Sequence, residues 1–301
     1  MTMSPSELRA KLKGIVGFGV TPFYENLQIN LEALRQNAEH LTQHCDVVIP
    51  LGHNGELFSL TPEEQRTVAS TVIGIVRKRR PVIVGVGLSV AVASELAKSA
   101  EAAGADGILI LPPYGQTNDD GLYEYYRSIV SATPLGVVLF QTPSFNFSLN
   151  LLRRLAGMPN IVGMKDEHGD MKQFVRQWKV ARDSIKPMCG VGEILAPSYF
   201  ALGVDVFTSG IVNFMPNTSK KLLELLTVRN FQAASRLVED EVIPIFDLRA
   251  KRPGYMTLVI KEAMNLCGMN AGPARPPIST LAESEREELR GILARLNLLK
   301  N

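Results

Sequence analysis

Cysteine is scarce in this 301-residue chain: Cys45, Cys189 and Cys267 are three, far apart, with no C-x-x-C pair. An odd, scattered set excludes a disulfide framework and a zinc ribbon and fits a reducing cytoplasm. Charge of one sign is scarce too. The formal net charge is +2, spread without any long basic or acidic block, so composition offers nothing to a nucleic-acid or membrane partner. No run approaches the roughly 20 apolar residues of a membrane span, and Met1 to Lys13 lacks the apolar core of a signal peptide. His53, Glu56 and His168 contain no H-x-H or H-x-x-x-H pair among them to chelate a metal. Gly85-Val86-Gly87 lacks the third glycine and the acidic residue that a dinucleotide loop needs. The expectation is a soluble cytoplasmic protein that uses no metal or other cofactor, binds no nucleic acid and no membrane, and works on a small molecule.

With 46% hydrophobic residues the chain can bury a large core. Short apolar runs alternate with helix-period segments: Gly14 to Thr21, Asp46 to Leu51, Pro81 to Gly85, Gly107 to Leu111, Gly136 to Phe140, Ile161 to Lys165, Met188 to Val191 and Val206 to Ser209. Runs such as Val82-Ile83-Val84 and Ile108-Leu109-Ile110 are apolar at every position, as parallel strands covered on both faces must be. A helix over Asn30 to Gln43 follows the first run. Another follows the second, with Thr61 as cap, Pro62 in the first turn and Glu64 closing a capping box. Eight strand-helix units predict a (β/α)8 barrel over residues 1–225, with an open doubly wound sheet as the competing arrangement. After Thr218 no further strand is convincing. From about Asn230 three helices follow, broken at Pro253-Gly254 and at Gly272 to Pro277, so 226–301 reads as a helical region packed on the barrel.

Active sites of such barrels lie at the C-terminal ends of the strands. Lys165 ends the apolar run Ile161-Val162-Gly163-Met164 at that face. A strand-end lysine can simply be the first solvated residue beyond the core; in a dry pocket its amine loses its proton more easily and can attack a carbonyl. The same face gathers Gly52-His53-Asn54-Gly55-Glu56, whose glycines can bare consecutive N–H groups to an anion, together with Tyr114, Phe140, Gln141 and, at the end of strand eight, Thr208. A lysine beside an anion nest suits a 2-keto acid. His168 and His53 are the candidate proton carriers by their ordinary pKa, although either can be a plain loop histidine. Glu193, after strand seven, reads as a helix cap.

At these residues the chain resembles the dihydrodipicolinate synthase and N-acetylneuraminate lyase superfamily of class I aldolases and dehydratases. The likeness runs through Val20-Thr21-Pro22-Phe23, the Gly52 to Glu56 loop with Ser59 to Glu64, Ala103 to Gly107, Lys165 through Asp170, and Gly272 to Pro277. It implies that Lys165 forms a Schiff base, that Gly52, His53 and Asn54 hold the substrate carboxylate, and that Tyr114 reaches a neighbouring subunit in a homotetramer or dimer. The chain also departs from the family pattern. Phe140-Gln141 stands where most members have Tyr-Asn, His53-Asn54 replaces a hydroxyl-bearing pair, and Ser144 to Phe147 lacks the arginine that synthases use for a second carboxylate. Phe140 cannot shuttle a proton. Through Leu109 to Tyr114, Gly163 to Asp170, Asn213-Phe214-Met215-Pro216 and the tail from Arg249-Ala250-Lys251-Arg252-Pro253-Gly254-Tyr255 to Pro277, the branch implied is a dehydratase of 2-keto-3-deoxy sugar acids, similar to those acting on 5-dehydro-4-deoxyglucarate. A pyruvate-dependent aldolase and a catalytically silent keto-acid binding barrel are the alternatives.

Overall fold

The computed structural model describes residues 3–115 and 117–300. All eight expected strands form: β1 (Gly14–Phe18), β2 (Val47–Ile49), β3 (Ile83–Val86), β4 (Gly107–Ile110), β5 (Gly136–Gln141), β6 (Ile161–Asp166), β7 (Lys186–Cys189) and β8 (Val206–Ser209). They pair in parallel in the order β2-β1-β8-β7-β6-β5-β4-β3. A bridge between Val48 and Val82 joins the two ends of that order into a closed barrel, so the open sheet is excluded.

The strand ends differ from expectation for local reasons. β1 stops at Phe18, before Thr21, whose hydroxyl donates to the Gly55 carbonyl at 2.7 Å and draws that stretch toward the β2 loop. β2 stops before Leu51, which turns into the left-handed region at φ 61. β7 begins at Lys186 and ends at Cys189, two residues earlier than expected at each end.

The helices are α1 (Pro5–Lys11), α2 (Leu31–His44), α3 (Pro62–Val76), α4 (Val90–Ala103), α5 (Asp119–Val130), α6 (Leu149–Leu155), α7 (Met171–Ala181), α8 (Ala196–Ala201), α9 (Pro216–Thr227), α10 (Phe231–Leu237), α11 (Ile243–Ala250), α12 (Tyr255–Leu266) and α13 (Glu283–Arg295). The capping box of α3 is formed as the sequence suggests. Glu64 N donates to the Thr61 hydroxyl at 3.2 Å, and Thr61 N donates to the Glu64 carboxylate at 2.9 Å. α10 and α11 run on through one wider turn, Val238–Val242, just ahead of Pro244, which has no N–H to continue the ladder.

Helix α1 falls where the sequence reading expects no element. Its Leu8 and the following Leu12 are fully buried and plug the N-terminal end of the barrel. A Cβ on Gly107 or Gly136 would come within 2.5 and 2.7 Å of Leu8 Cδ2, so bare backbone at the starts of β4 and β5 is what lets the plug seat.

At the opposite end, α12 sends Lys261 down to the β2 loop. Its ammonium, 1% exposed, donates to Glu56 Oε1 at 2.8 Å and to the carbonyls of Thr21 at 2.9 Å and Pro273 at 2.6 Å. Glu56 Oε2 accepts from Arg275 N at 2.8 Å. Glu56 thus ties the loop to the C-terminal helices. Among the described residues no helix is long and apolar enough to cross a membrane.

Candidate active site

Successive residues of a strand face opposite sides, and β5 and β6 show what this does to the site. In register, Phe140 pairs with Lys165 and Gln141 with Asp166. Phe140 and Lys165 point into the barrel. The Lys165 amine, on a residue 4% exposed, lies 3.8 Å from the Phe140 ring centroid and 4.8 Å from that of Phe18. Gly190 makes room for it: a Cβ there would stand 2.7 Å from Lys165 Cγ. Gln141 and Asp166 point outward into a buried polar network, in which Asp166 accepts from Gln141 Nε2 at 2.8 Å, Tyr199 OH at 2.7 Å and His168 N at 3.0 Å. Gln141 is therefore turned away from the pocket and supports the strand end from behind.

Burial in this apolar setting pushes the Lys165 amine below its ordinary pKa, and the negative charge and hydrogen bond of Glu167 oppose the shift. Glu167 forms an ion pair with the amine. Its backbone is fixed by a hydrogen bond from Glu167 N to the Gln141 carbonyl at 3.0 Å. Burial alone would raise the Glu167 carboxyl, but the charges of Lys165, His53 and Arg249 carry it below the usual carboxylate value.

Two cavities meet at this pair. A cleft of about 860 Å3 is lined by His53, Tyr114, Thr142, Ser144, Asn146 and Glu167, among others. A chamber of about 40 Å3 adjoins it, walled by His53, Asn54, Lys165, Glu167, Thr208 and Arg249 together with Phe18, Phe246, Met256 and the glycine-rich ends of β7 and β8. His53 and Glu167 line both, whereas Lys165 lines only the chamber, so the carboxylate of the pair stands between the amine and the larger cleft.

The expected residues divide accordingly. Asn54 and Thr208 line the chamber, and the Thr208 hydroxyl donates to the Gly190 carbonyl at 3.0 Å. The N–H groups of His53 and Asn54 meet no acceptor among the described residues, while the turn closes through Gly55 N to the Gly52 carbonyl at 3.0 Å. Gly52 itself packs under Phe18, whose ring a Cβ would strike at 2.6 Å. The His53 ring lies 5.2 Å from Phe140, and burial pushes its pKa down. Tyr114 stands 74% exposed on the rim of the cleft, uncovered in a single chain. His168 lines neither cavity.

Glu193 caps nothing; its Oε1 accepts from Ser219 of α9 at 2.7 Å, inside the core. His40 and His44 of α2 do form an H-x-x-x-H pair, but His40 Nε2 is bonded to the Val212 carbonyl at 3.0 Å. Among the described residues no group of three possible metal ligands assembles.

Two site residues escape the sequence reading. Glu167 was signalled by adjacency alone, an acid two positions past the lysine. Arg249 opens the tail segment that carries the likeness to the dehydratases, but that likeness gives it no place in the site; α11 brings it over the barrel from the C-terminal region, and it is 5% exposed in the chamber wall.

Comparison with known proteins agrees with this geometry. A family profile described as the dihydrodipicolinate synthetase family matches residues 11–296. A probable 5-dehydro-4-deoxyglucarate dehydratase of Methylobacterium radiotolerans is 34% identical over 301 residues, covering 97% of this chain and 98% of its own. One of the same name from Saccharopolyspora erythraea is 35% identical over 287 residues, covering 93% of each. Among solved structures, dihydrodipicolinate synthase from Oceanobacillus iheyensis superposes with a TM-score of 0.92 at 34% identity, over 97% of this chain and 99% of that one. The synthase from Bacillus clausii gives 0.92 at 30%, over 97% and 100%. By sequence over nearly its whole length and by fold, the chain belongs to the dihydrodipicolinate synthetase family.

Proposed function

We propose that the protein is a lyase that dehydrates a 2-keto-3-deoxy sugar acid, of the kind named for its dehydratase relatives, through an imine on Lys165. One observation carries the reading: a buried lysine in contact with a single carboxylate, at the junction of a chamber and a much larger polar cleft. The chemistry closes with that carboxylate as the only proton carrier. Glu167 takes a proton from the Lys165 ammonium, and the free amine adds to the C2 carbonyl. Glu167 returns that proton to the carbonyl oxygen, then takes a second proton from the added nitrogen and passes it to the same oxygen, which leaves as water and gives a protonated imine. The imine withdraws electrons from C3, Glu167 removes a C3 proton, and an enamine forms. Glu167 then protonates the C4 hydroxyl, which leaves as a second water. Hydrolysis of the conjugated imine consumes one water, frees the product and restores the ion pair, so one water is lost overall.

This assignment removes the difficulty raised by Phe140, since no tyrosine hydroxyl is needed, and it sets His168 aside in favour of Glu167. The hydroxyls of Thr142 and Ser144 and the amide of Asn146 in the larger cleft suit the hydroxyls of a sugar acid. The test is borohydride reduction with a panel of 2-keto acids, with mass spectrometry to locate the adduct. Label is expected on Lys165, absent in Lys165→Ala, and water loss from keto-deoxy sugar acids is expected to outpace condensation of pyruvate with aspartate semialdehyde. A label elsewhere sinks the mechanism; efficient condensation sinks the substrate class.

A further inference from the structure

The chamber beside Lys165 contains a buried cation that the reaction described above leaves unused. Arg249 is 5% exposed, its Nε donates to the Met256 carbonyl at 3.2 Å, and its guanidinium carbon stacks 4.6 Å from the Phe246 ring centroid. Among the described residues its terminal nitrogens meet no acceptor and no carboxylate forms a salt bridge with it. Glu167 is taken by Lys165 and Glu193 by Ser219. A guanidinium removed from water with donors unmet is costly unless something in the site accepts from it.

Gly210 shows how near Asn54 comes to the guanidinium. A Cβ at Gly210 would stand 2.7 Å from Ile260 Cδ1, 2.8 Å from Asn54 Nδ2 and 3.7 Å from Arg249 Nη2. An amide and a guanidinium, one on the β2 loop and one on α11, therefore flank the same stretch of bare backbone. Both line the chamber that Lys165 enters.

Size then decides which end of a keto acid belongs there. The imine carbon bonds to the Lys165 amine, and the adjacent carboxylate lies one bond from it, so it either stays in the chamber that Lys165 lines or passes His53 and Glu167 into the cleft. About 40 Å3 has room on the order of one carboxylate group. A polyhydroxylated chain needs the 860 Å3 cleft. We propose that Arg249, with Asn54, anchors the carboxylate adjacent to the keto carbon, so that the C-terminal helices supply the principal charge recognised in the substrate. The inference rests on Lys165 as the imine-forming residue.

The test uses trapping rather than turnover. Pyruvate carries only the adjacent carboxylate; acetaldehyde forms an imine but carries none. In Arg249→Ala the pyruvate concentration for half-maximal borohydride labelling of Lys165 is expected to rise roughly 100-fold, with Arg249→Lys falling between, because an ammonium lacks the flat two-point fork. Acetaldehyde is expected to label the variant and the parent alike. A pyruvate dependence within about threefold of the parent overturns the proposal, since the carboxylate would then be held elsewhere. Equal loss for pyruvate and acetaldehyde overturns it too, by making Arg249 a support of Lys165 alone. Failure of any 2-keto acid to label the parent protein is a different outcome: it removes the imine reading itself and the anchor with it.

Discussion

Two lysines of this protein are buried almost equally. Lys165 is 4% exposed and Lys261 is 1% exposed; each has a glutamate partner and an aromatic ring within reach of its ammonium. Burial lowers the pKa of both, and in both the paired carboxylate opposes the shift. Burial and pairing therefore do not tell the two apart. Coordination does. An ammonium has three N–H donors. Lys261 commits all three, to Glu56 Oε1 and to the carbonyls of Thr21 and Pro273, whereas Lys165 has Glu167 and otherwise faces rings and empty volume. A lysine with every donor used is a fastener. One with a single mobile-proton partner and a space beside it can exchange that partner for a carbonyl carbon.

The contrast is sharpened most by Glu167→Gln. If Glu167 carries the protons, turnover falls by about 10²–10⁴-fold, and borohydride trapping slows but still goes to completion, because a free amine and a carbonyl condense without a dedicated proton carrier. The pH profile of trapping moves in a defined direction as well. Trapping requires the unprotonated amine, and the Glu167 charge raises the Lys165 pKa against burial. Without that charge the largest opposition to burial is gone, so the rise of trapping with pH shifts to lower pH. Unchanged turnover, or a shift to higher pH, would break the assignment.

Next in size is the stability of the two lysine sites. Lys261→Met leaves Glu56, fully buried, without its cation, and removing one member of a buried pair costs about 3–5 kcal/mol. Lys165→Met leaves Glu167 near Arg249 and His53 and open to the cleft, and the new thioether packs against Phe18 and Phe140. Its loss is expected to be well below that of Lys261→Met in urea unfolding. Equal losses would mean that the two ion pairs serve the fold alike.

How much of this was legible in the sequence follows the range of the interaction. The eight strands, the capping box at Thr61 and the lysine at a strand end are local patterns, and the structure realises them. Helix α1 was legible in the same terms but is short. Ser4 and Glu7 form the same box as Thr61 and Glu64, with Ser4 N donating to Glu7 Oε2 at 2.7 Å. Gln141 was misread as facing the pocket because its side follows from the register of β5 on β6, which only the closed barrel fixes. Arg249 reaches the site through tertiary packing of α11; the segment Arg249 to Tyr255 carries the likeness to the dehydratases, but that likeness does not say where the side chain goes. His168 and His53 are picked out by their ordinary pKa, a criterion that passes over Glu167, whose contact with the Lys165 amine only the folded chain shows.

The smallest expected effect tests whether the fastening around Lys261 extends outward. Arg275 meets Glu64 with two parallel hydrogen bonds, Nη1 to Oε2 at 2.8 Å and Nη2 to Oε1 at 2.7 Å, and its Nη2 also donates to the Leu27 carbonyl at 2.7 Å. The hydrogen bonds from Arg275 hold the Glu64 carboxyl below its ordinary value. A carboxylate lowered in the folded state adds stability that is fully present above its unfolded pKa and is lost as pH falls through the folded one. Gln is tolerated in a capping box, so Glu64→Gln removes the charge and largely spares the helix start. Partly exposed pairs of this geometry contribute about 1 kcal/mol. The variant is therefore expected to be about 1 kcal/mol less stable near neutrality, and the gap is expected to close in acid once Glu64 of the parent is protonated. A gap that persists unchanged into acid would assign the stabilisation to packing of the Arg275 side chain, and the charged fastening would then end at Glu56 and Lys261.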